Sequence, residues 1–184
     1  MGIVFCAALG IRYWPSFGRF PAFAMHAHEQ LLHRFYQAFQ RREHAGMAAC
    51  YHPDATFEDA IFRLQGPEIG KMWRMLCEKG KDMRLAYNDI QADEQQGKAT
   101  WDAHYTFSQT GRFVHNHVQA SFTFQDGLIR THHDQFGFWP WSRQALGPIG
   151  WLLGWSGFLQ NKVRKSAAEG LAKYRVASDK AVGS

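Results

Sequence analysis

Residues 130–136 place an acid–base pair on one face of a strand-like run. The run reads Arg130-Thr-His-His-Asp-Gln-Phe136, and strict alternation puts His132, Asp134 and Phe136 on the same face. A carboxylate beside an imidazole orients the ring and makes it more basic, which suits proton transfer near neutral pH. The pair is therefore a candidate for acid–base chemistry. The alternative is a buried pair that only fixes the packing of the strand.

A second histidine pair, His115 and His117, has the spacing of a metal-binding His-x-His motif. The opposite face of the same run carries apolar residues such as Val114 and Phe122, which are typical of a core. We therefore predict that the two histidines face solvent or a partner subunit, and we predict no metal. The chain also lacks a phosphate-binding loop, a dinucleotide fingerprint and a nucleophile elbow, so no cofactor is predicted.

Three helices and then a series of strands must position these groups. Leu32, Phe35, Tyr36 and Phe39 recur every three or four residues and predict a first helix from Glu29. A short helix is predicted over 45–51, a short strand over 55–59 and a third helix over 66–80. Four strands are predicted over 82–92, 99–108, 112–124 and 128–138, and the turns between them each end in glycine.

Three short motifs resemble those of the SnoaL-like branch of the nuclear-transport-factor-2-like superfamily, which includes polyketide cyclases and ketosteroid isomerases. They are Tyr51-His-Pro-Asp-Ala-Thr-Phe-Glu-Asp59, the helix entry Gly66-Pro-Glu-Ile-Gly70 and the hairpin Phe124-Gln-Asp-Gly-Leu-Ile129. The resemblance covers residues 29–138, and we assign 25–138 to this domain. It implies an α+β fold shaped as a cone-like barrel, with three N-terminal helices packed on a curved antiparallel sheet. Homodimers are common in this family, so a homodimer is also implied.

The resemblance also implies a general base at Asp59, because ketosteroid isomerases carry their catalytic carboxylate at the end of this short strand. The oxyanion-hole donors of those enzymes match Phe35 and Ala120 here, and neither side chain can donate a hydrogen bond. Losing such donors typically costs on the order of 10²–10³ in rate apiece, so steroid isomerisation by that arrangement is not expected. Asp59, His132 and Asp134 are the candidate catalytic residues.

The register of the resembled family turns the face that carries His132 and Asp134 inward, toward an apolar cavity. The candidate ligand-binding residues are mostly aromatic and are Phe35, Tyr51, Trp73, Trp101, Tyr105, Val118, Ala120 and Phe136. Polar groups inside an otherwise apolar cavity are typical of a binding or catalytic site. The expected partner is a small apolar ligand of the polyketide or steroid type.

Both ends of the chain differ from the domain. Residues 1–24 contain glycines and prolines without a helical period and are predicted to be an extension outside the fold. A signal or anchor segment and an ordered extra element are the alternatives. Residues 139–177 begin with four of the seven tryptophans and continue into an amphipathic basic helix, and residues 178–184 are predicted to be a disordered tail. The apolar stretch 149–159 is expected to bury against the open end of the cone or a partner subunit, with a membrane surface as the second interpretation.

Composition and charge narrow the classes of function. The chain has 184 residues, of which 46% are hydrophobic, enough for one globular domain with a core. Its three cysteines are sparse and odd in number, which favours a cytoplasmic protein over a disulfide-rich secreted one. The net charge of +5 comes from the ends, because residues 160–184 carry six basic and two acidic side chains and residues 1–24 carry two basic ones. A basic groove for nucleic acid on the domain is therefore not expected.

Two functions fit these observations. An enzyme would use Asp59 to move a proton or activate water in an isomerase, cyclase or epoxide-hydrolase-like reaction. A ligand-binding or dimerisation module would have the same cavity and no turnover. The two differ in the expected state of Asp59, because a catalytic base should be desolvated with its pKa raised toward neutrality. In a binding module Asp59 could instead pair with solvent or cap a backbone turn.

Overall fold

The fold begins with three helices, and a short strand pair separates the second from the third. A computed structural model describes residues 25–182, with side chains for residues 25–174, so the predicted extension over 1–24 lies outside the described residues. The helices are α1 (Ala27–Gln40), α2 (His44–Ala48) and α3 (Pro67–Lys79). His26 and Glu29 form a capping box that starts α1. Pro67 occupies the first turn of α3, and Gly80 follows its end.

Six strands form one open sheet against which the helices pack. They are β1 (Tyr51–Glu58), β2 (Arg63–Gln65), β3 (Arg84–Ala92), β4 (Gln96–Phe107), β5 (Arg112–Gln125) and β6 (Leu128–Gln135), in the order β2-β1-β6-β5-β4-β3. Asp126 and Gly127, both at positive φ, make the tight turn between β5 and β6. This architecture confirms the α+β fold class predicted from the sequence.

The first strand is longer than predicted, and the sheet is mixed rather than wholly antiparallel. Tyr51 belongs to β1 and not to the second helix, and β1 runs parallel to β6. The pairing shifts between Tyr51 and Thr56, and this irregularity accommodates Pro53, which has no N–H to donate to a neighbouring strand. The unpredicted strand β2 pairs with β1 at the edge of the sheet, and its three residues are too few to give a periodic signal.

Aromatic side chains fill the space between the helices and the sheet. Phe35 and Phe39 of α1, Trp73 of α3 and Phe57 of β1 are almost fully buried. The Trp73 ring meets Phe35 edge-on at a centroid distance of 5.7 Å and Phe57 at 5.5 Å. Such edge-to-face contacts stabilise a core beyond the area they bury. They hold β1 against α1 and α3, and so fix the end of the strand, where Asp59 follows.

Three further helices pack at one side of the sheet. They are α4 (Phe138–Leu146), α5 (Pro148–Leu153) and α6 (Gly157–Val182). The last strand ends at Gln135, before the predicted residue 138, because Phe138 already begins α4. The backbone of α6 stays helical to Val182, whereas the sequence predicts a disordered tail from residue 178; Lys180 and Ala181 of this stretch favour helix. Within the described range 25–182, no helix is long and apolar enough to cross a bilayer.

The apolar stretch 149–159 is largely exposed in the single chain and is not buried against the cone, the first of the places predicted for it. Only Gly150, Gly154 and Leu159 of this stretch are buried, while six of its large apolar side chains are exposed. A Cβ on Gly150 would lie 1.8 Å from the carbonyl oxygen of Ser142, and one on Gly154 would lie 2.1 Å from Ser142 Oγ. Because bare glycine backbone packs against α4, the large side chains of α5 lie on its exposed side.

Candidate active site

A cavity of about 500 Å³ lies between α3, one face of the sheet and the C-terminal helices. Much of its wall is apolar and includes Phe57, Trp73, Trp101, Phe136 and Trp141. Leu159, Val163 and Ala167, all on α6, line one side of it. The volume and the apolar character fall within the range of small-molecule sites in proteins.

Asp59 follows the last residue of β1 and reaches the cavity wall. Its Oδ1 accepts hydrogen bonds from the backbone N–H groups of Ile61 at 2.6 Å and Phe62 at 2.5 Å. Burial raises the pKa of Asp59 to about 6, and the charge of Asp134 adds to this effect, although the two backbone hydrogen bonds lower it. Asp59 is therefore both the cap of the turn after β1 and a carboxyl group that titrates close to neutral pH.

A chain of hydrogen bonds runs behind the cavity wall. Trp73 Nε1 donates to the Tyr51 hydroxyl oxygen at 3.0 Å, and the Tyr51 hydroxyl donates to His132 Nδ1 at 2.6 Å. His132 Nε2 donates to Asp134 Oδ1 at 3.0 Å, and Trp101 Nε1 donates to the same oxygen at 3.2 Å. All polar hydrogens in this chain find an acceptor when His132 is neutral and carries its proton on Nε2, so we assign that tautomer.

The chain of hydrogen bonds reaches the cavity at Asp134. Burial raises the pKa of Tyr51 well above its ordinary value, so Tyr51 keeps its proton and fixes the tautomer of His132. His132 in turn holds Asp134 Oδ1. His132 is 2% exposed and lies behind the wall, whereas Asp134 is part of the wall. His132 and Trp101, which both bind Asp134 Oδ1, thus orient this carboxyl group toward the space where a ligand would lie.

Tyr105 brings a further hydroxyl group to the cavity wall. Its oxygen accepts a hydrogen bond from Trp141 Nε1 at 2.9 Å, which leaves the Tyr105 O–H free to donate. Burial raises the pKa of Tyr105, and the charge of Asp59 contributes. Trp141 is a site residue that the sequence analysis missed. The sequence feature that could have indicated Trp141 is its position in the Trp-rich segment directly after the last strand.

The structure brings six of the eleven residues predicted for the site to the cavity wall. These six are Asp59, Trp73, Trp101, Tyr105, Asp134 and Phe136. The other five are buried behind the wall and are Phe35, Tyr51, Val118, Ala120 and His132. Their position differs from the expectation that they contact a ligand directly.

Larger neighbours explain why these residues lie behind the wall. The ring of Phe35 packs edge-on against Tyr51, Trp73 and His132 at centroid distances of 5.8, 5.7 and 5.6 Å. On the sheet, Val118 pairs with Trp101 across β4 and β5, and Ala120 pairs with Asp134 across β5 and β6. The longer side chains of those partners reach the cavity, and the short ones do not.

The second histidine pair lies away from this cavity. His115 and His117 are exposed on β5, and both contact Asp102 Oδ1, at 2.8 Å and 3.1 Å. They face outward, as the alternation predicts. Among the residues that the structure describes, no group of three or more His, Cys, Asp and Glu side chains is arranged to hold a metal ion.

Comparisons with known proteins agree with the fold. A family model for the SnoaL-like domain matches residues 32–132, just over half of the chain. The search of curated proteins found no match to this chain. Among solved structures, an NTF2-like protein from Burkholderia pseudomallei is similar with a TM-score of 0.54 at 20% identity, covering 61% of this chain and 92% of that one. A proposed polyketide cyclase from Xanthomonas campestris gives 0.53 at 20% identity, covering 65% and 96%. An LEH-like epoxide hydrolase from M. tuberculosis gives 0.53 at 17% identity, covering 69% and 96%.

Proposed function

Because the chain belongs to the SnoaL-like domain family, we propose that its cavity binds a small, largely apolar molecule and that Asp59 exchanges a proton with it. The observation that carries the proposal is the position of Asp59 at the wall of an apolar cavity, where burial raises its pKa to about 6. A base with this pKa is mostly ionised at neutral pH and still accepts a proton readily. An ordinary surface aspartate would be roughly a hundredfold weaker as a base.

Asp134 is the second carboxyl group of the site in this proposal. Its charge contributes to the raised pKa of Asp59 and so makes Asp59 a stronger base. Asp59 then accepts a proton from the substrate or from a water molecule, and the Tyr105 O–H donates a hydrogen bond to an oxygen atom of the substrate. His132 and Tyr51 do not touch the ligand and act as positioning residues for Asp134.

An aldol-type cyclase or an epoxide hydrolase would use the Asp59 carboxylate and the Tyr105 hydroxyl most directly. In a cyclase or an isomerase the base removes a proton beside a carbonyl group, and in a hydrolase it activates water. Phe35 and Ala120 donate no side-chain hydrogen bond, so the carbonyl or epoxide oxygen relies on the Tyr105 hydroxyl. The shared fold with a proposed polyketide cyclase and an epoxide hydrolase supports these two classes over steroid isomerisation.

Turnover of a compound panel by matched variants tests the proposal. The panel contains lipophilic epoxides and aromatic polyketones, and chromatography with mass spectrometry detects cyclised, isomerised or hydrated products. Asp59→Asn keeps an oxygen acceptor for the Ile61 and Phe62 amides, so it should fold normally and abolish turnover. Asp134→Asn should strongly lower turnover. Binding of the fluorescent probe anilinonaphthalene sulfonate should persist in both variants, and wild-type turnover by Asp59→Asn would overturn the proposal.

A binding module without turnover is the second candidate. The two hydrogen bonds that Asp59 accepts from backbone N–H groups favour it, because capping that turn is a purely structural use of the carboxyl group. Panel compounds would then bind without conversion, with equal affinity for the wild type and Asp59→Asn.

For either function we propose a cytoplasmic homodimer, which the sparse cysteines and the family resemblance support. Light scattering after size-exclusion chromatography measures the oligomeric state.

A further inference from the structure

Five large apolar side chains near the start of the C-terminal segment are strongly exposed. We name them the apolar ridge, and they are Ile149, Trp151, Leu152, Trp155 and Phe158. Trp155 is 76% exposed and Phe158 is 73% exposed. Clusters of this kind on a folded protein mark surfaces that contact another molecule.

The ridge is held outward by tight packing on its other side. Gly150 and Gly154 lie directly against Ser142 of α4, where no side chain would fit. The Ser142 hydroxyl is within hydrogen-bond distance of the Trp139 carbonyl at 3.0 Å and of the Gly150 carbonyl at 3.2 Å. The exposed side chains therefore stand on a fixed base and cannot turn inward without breaking the contact between α4 and α5.

The N–H groups of two of the three exposed indoles are already paired. Trp155 Nε1 donates to the carbonyl oxygen of Leu152 at 2.9 Å, and Trp139 Nε1, beside the ridge, donates to that of Trp151 at 3.2 Å. Burying a polar group without a partner is costly in an apolar environment. Since these two N–H groups keep their partners, the rings can enter an apolar phase without that cost.

The part of the sequence that carries the ridge has positive charge and no acidic residue. Residues 135–168 contain no aspartate or glutamate and four basic residues, Arg143, Lys162, Arg164 and Lys165. The Arg143 guanidinium lies 4.5 Å from the centre of the Trp139 ring. On α6, Phe158, Lys162 and Lys165 recur at spacings of four and three, so they share one helix face, and both lysines are exposed.

We infer that the ridge docks the protein on the surface of a membrane that contains anionic lipids. Aromatic rings would lie at the boundary between headgroups and acyl chains, and the lysines would contact the lipid phosphates and carboxylates. α5 has six residues, so it lies in the interface and does not cross it. A second copy is a poor occupant, because a symmetric contact would bring the same positive surfaces together.

Membrane docking also explains where the cavity opens. Ile149 of the ridge and the neighbouring Lys162 are exposed and at the same time line the cavity. A docked protein would thus present the rim of its apolar cavity to the lipid phase, from which an apolar ligand can enter without crossing water. This inference depends on the ridge and the cavity, and not on proton transfer by Asp59.

Vesicle flotation of the full chain tests the docking surface. The wild type should float with vesicles of phosphatidylcholine containing about one third phosphatidylserine and should stay at the bottom with phosphatidylcholine alone. Trp155→Ser with Phe158→Ser should abolish flotation. Both side chains are largely exposed, so circular dichroism and the melting temperature should match the wild type.

A charge variant separates the electrostatic contribution from the apolar one. A basic residue near an anionic surface contributes about 1 kcal/mol, which is about fivefold in partitioning. Lys162→Gln with Lys165→Gln should therefore weaken vesicle partitioning by roughly thirtyfold. The matched control is Arg84→Gln with Lys98→Gln, which removes two exposed charges from β3 and β4 and should leave partitioning unchanged.

Three results would overturn the inference. The wild type could remain at the bottom with the anionic vesicles, or the Trp155 and Phe158 variant could float as well as the wild type. In the third case the wild type does not float, and light scattering shows a dimer that the same variant turns into a monomer. A second copy of the chain would then cover the ridge.

Discussion

Replacing Asp59 by asparagine should stabilise the protein at neutral pH while removing the proposed base. Asparagine has nearly the same shape, and its side-chain oxygen can still accept the backbone hydrogen bonds of Ile61 and Phe62. The substitution therefore removes only the charge, which burial disfavours. The gap between the ordinary pKa of 3.8 and the value of about 6 in the fold corresponds to about 3 kcal/mol in the free energy of unfolding.

The sign of the effect follows from the protons bound by each state. Between pH 3.8 and about 6 the folded protein holds the Asp59 proton and the unfolded chain has released it. The wild-type contribution of Asp59 to stability is therefore greatest below this window and falls as the pH rises through it. The variant should match the wild type at about pH 4 and exceed it by up to about 3 kcal/mol at about pH 7.5, or roughly 6 to 12 °C in Tm.

Urea unfolding of both proteins across this pH range measures the difference. Asp93→Asn is the matched control, because Asp93 Oδ1 accepts the Gln95 and Gln96 amides in the same way, both at 2.7 Å, but is exposed. The hydrogen bond from the Gln96 amide, followed by that from Gln95, lowers the pKa of Asp93. The ionised Asp93 therefore stabilises the wild type above about pH 4, and the Asp93→Asn variant should be less stable than the wild type there. If Asp59→Asn behaves like the control, Asp59 is a solvated cap and the desolvation argument is refuted.

Three further variants test the structure around the cavity. Tyr51→Phe leaves the buried Nδ1 of His132 without its donor, and urea unfolding should show a loss of about 1–3 kcal/mol; no loss would contradict the assigned hydrogen bonds. Tyr36→Phe removes a buried hydroxyl that has no partner among the described residues, so stability should stay equal or rise by about 1 kcal/mol, and a clear loss would mean that the hydroxyl binds something. Gly150→Ala forces a methyl group to within 1.8 Å of the Ser142 carbonyl oxygen, so Tm should fall by several degrees; an unchanged Tm would show that α4 and α5 are not in this contact.

Local patterns in the sequence are enough to place the helices and hairpins of the domain. Periodic apolar residues predict α1, and Pro67 and Gly80 mark the two ends of α3. The start of β1 at Tyr51 is not visible in the sequence, because that part of the strand is defined by pairing with β6, far along the chain. Pro53 also resembles a break between elements, although it lies inside the strand.

The carboxyl groups of the candidate site are predictable, but their connections are not. The family resemblance leads to Asp59, strand alternation leads to Asp134, and both lie at the cavity wall. The hydrogen bond between Tyr51 and His132 joins residues 81 positions apart, and no local pattern encodes it. For the same reason the sequence does not show that His132 stands behind the wall while Asp134 forms part of it.

Hydrophobicity alone does not predict that the apolar ridge is exposed. Residues 149–159 are almost entirely apolar, and such a run usually packs into a core. Small residues allow two helices to approach closely, and in α5 the contact with α4 is made by Gly150. The large side chains are then left on the outer face, where the structure shows them.

The ionisation of Asp59 itself is the most direct test of its role as a desolvated base. NMR chemical shifts of its side-chain carboxyl carbon, assigned by comparison with Asp59→Asn, report its titration in the folded protein. The midpoint should lie at about pH 6, with ordinary surface aspartates titrating well below it. A midpoint near 3.8 would show a solvated carboxylate, and the catalytic proposal would give way to the binding module.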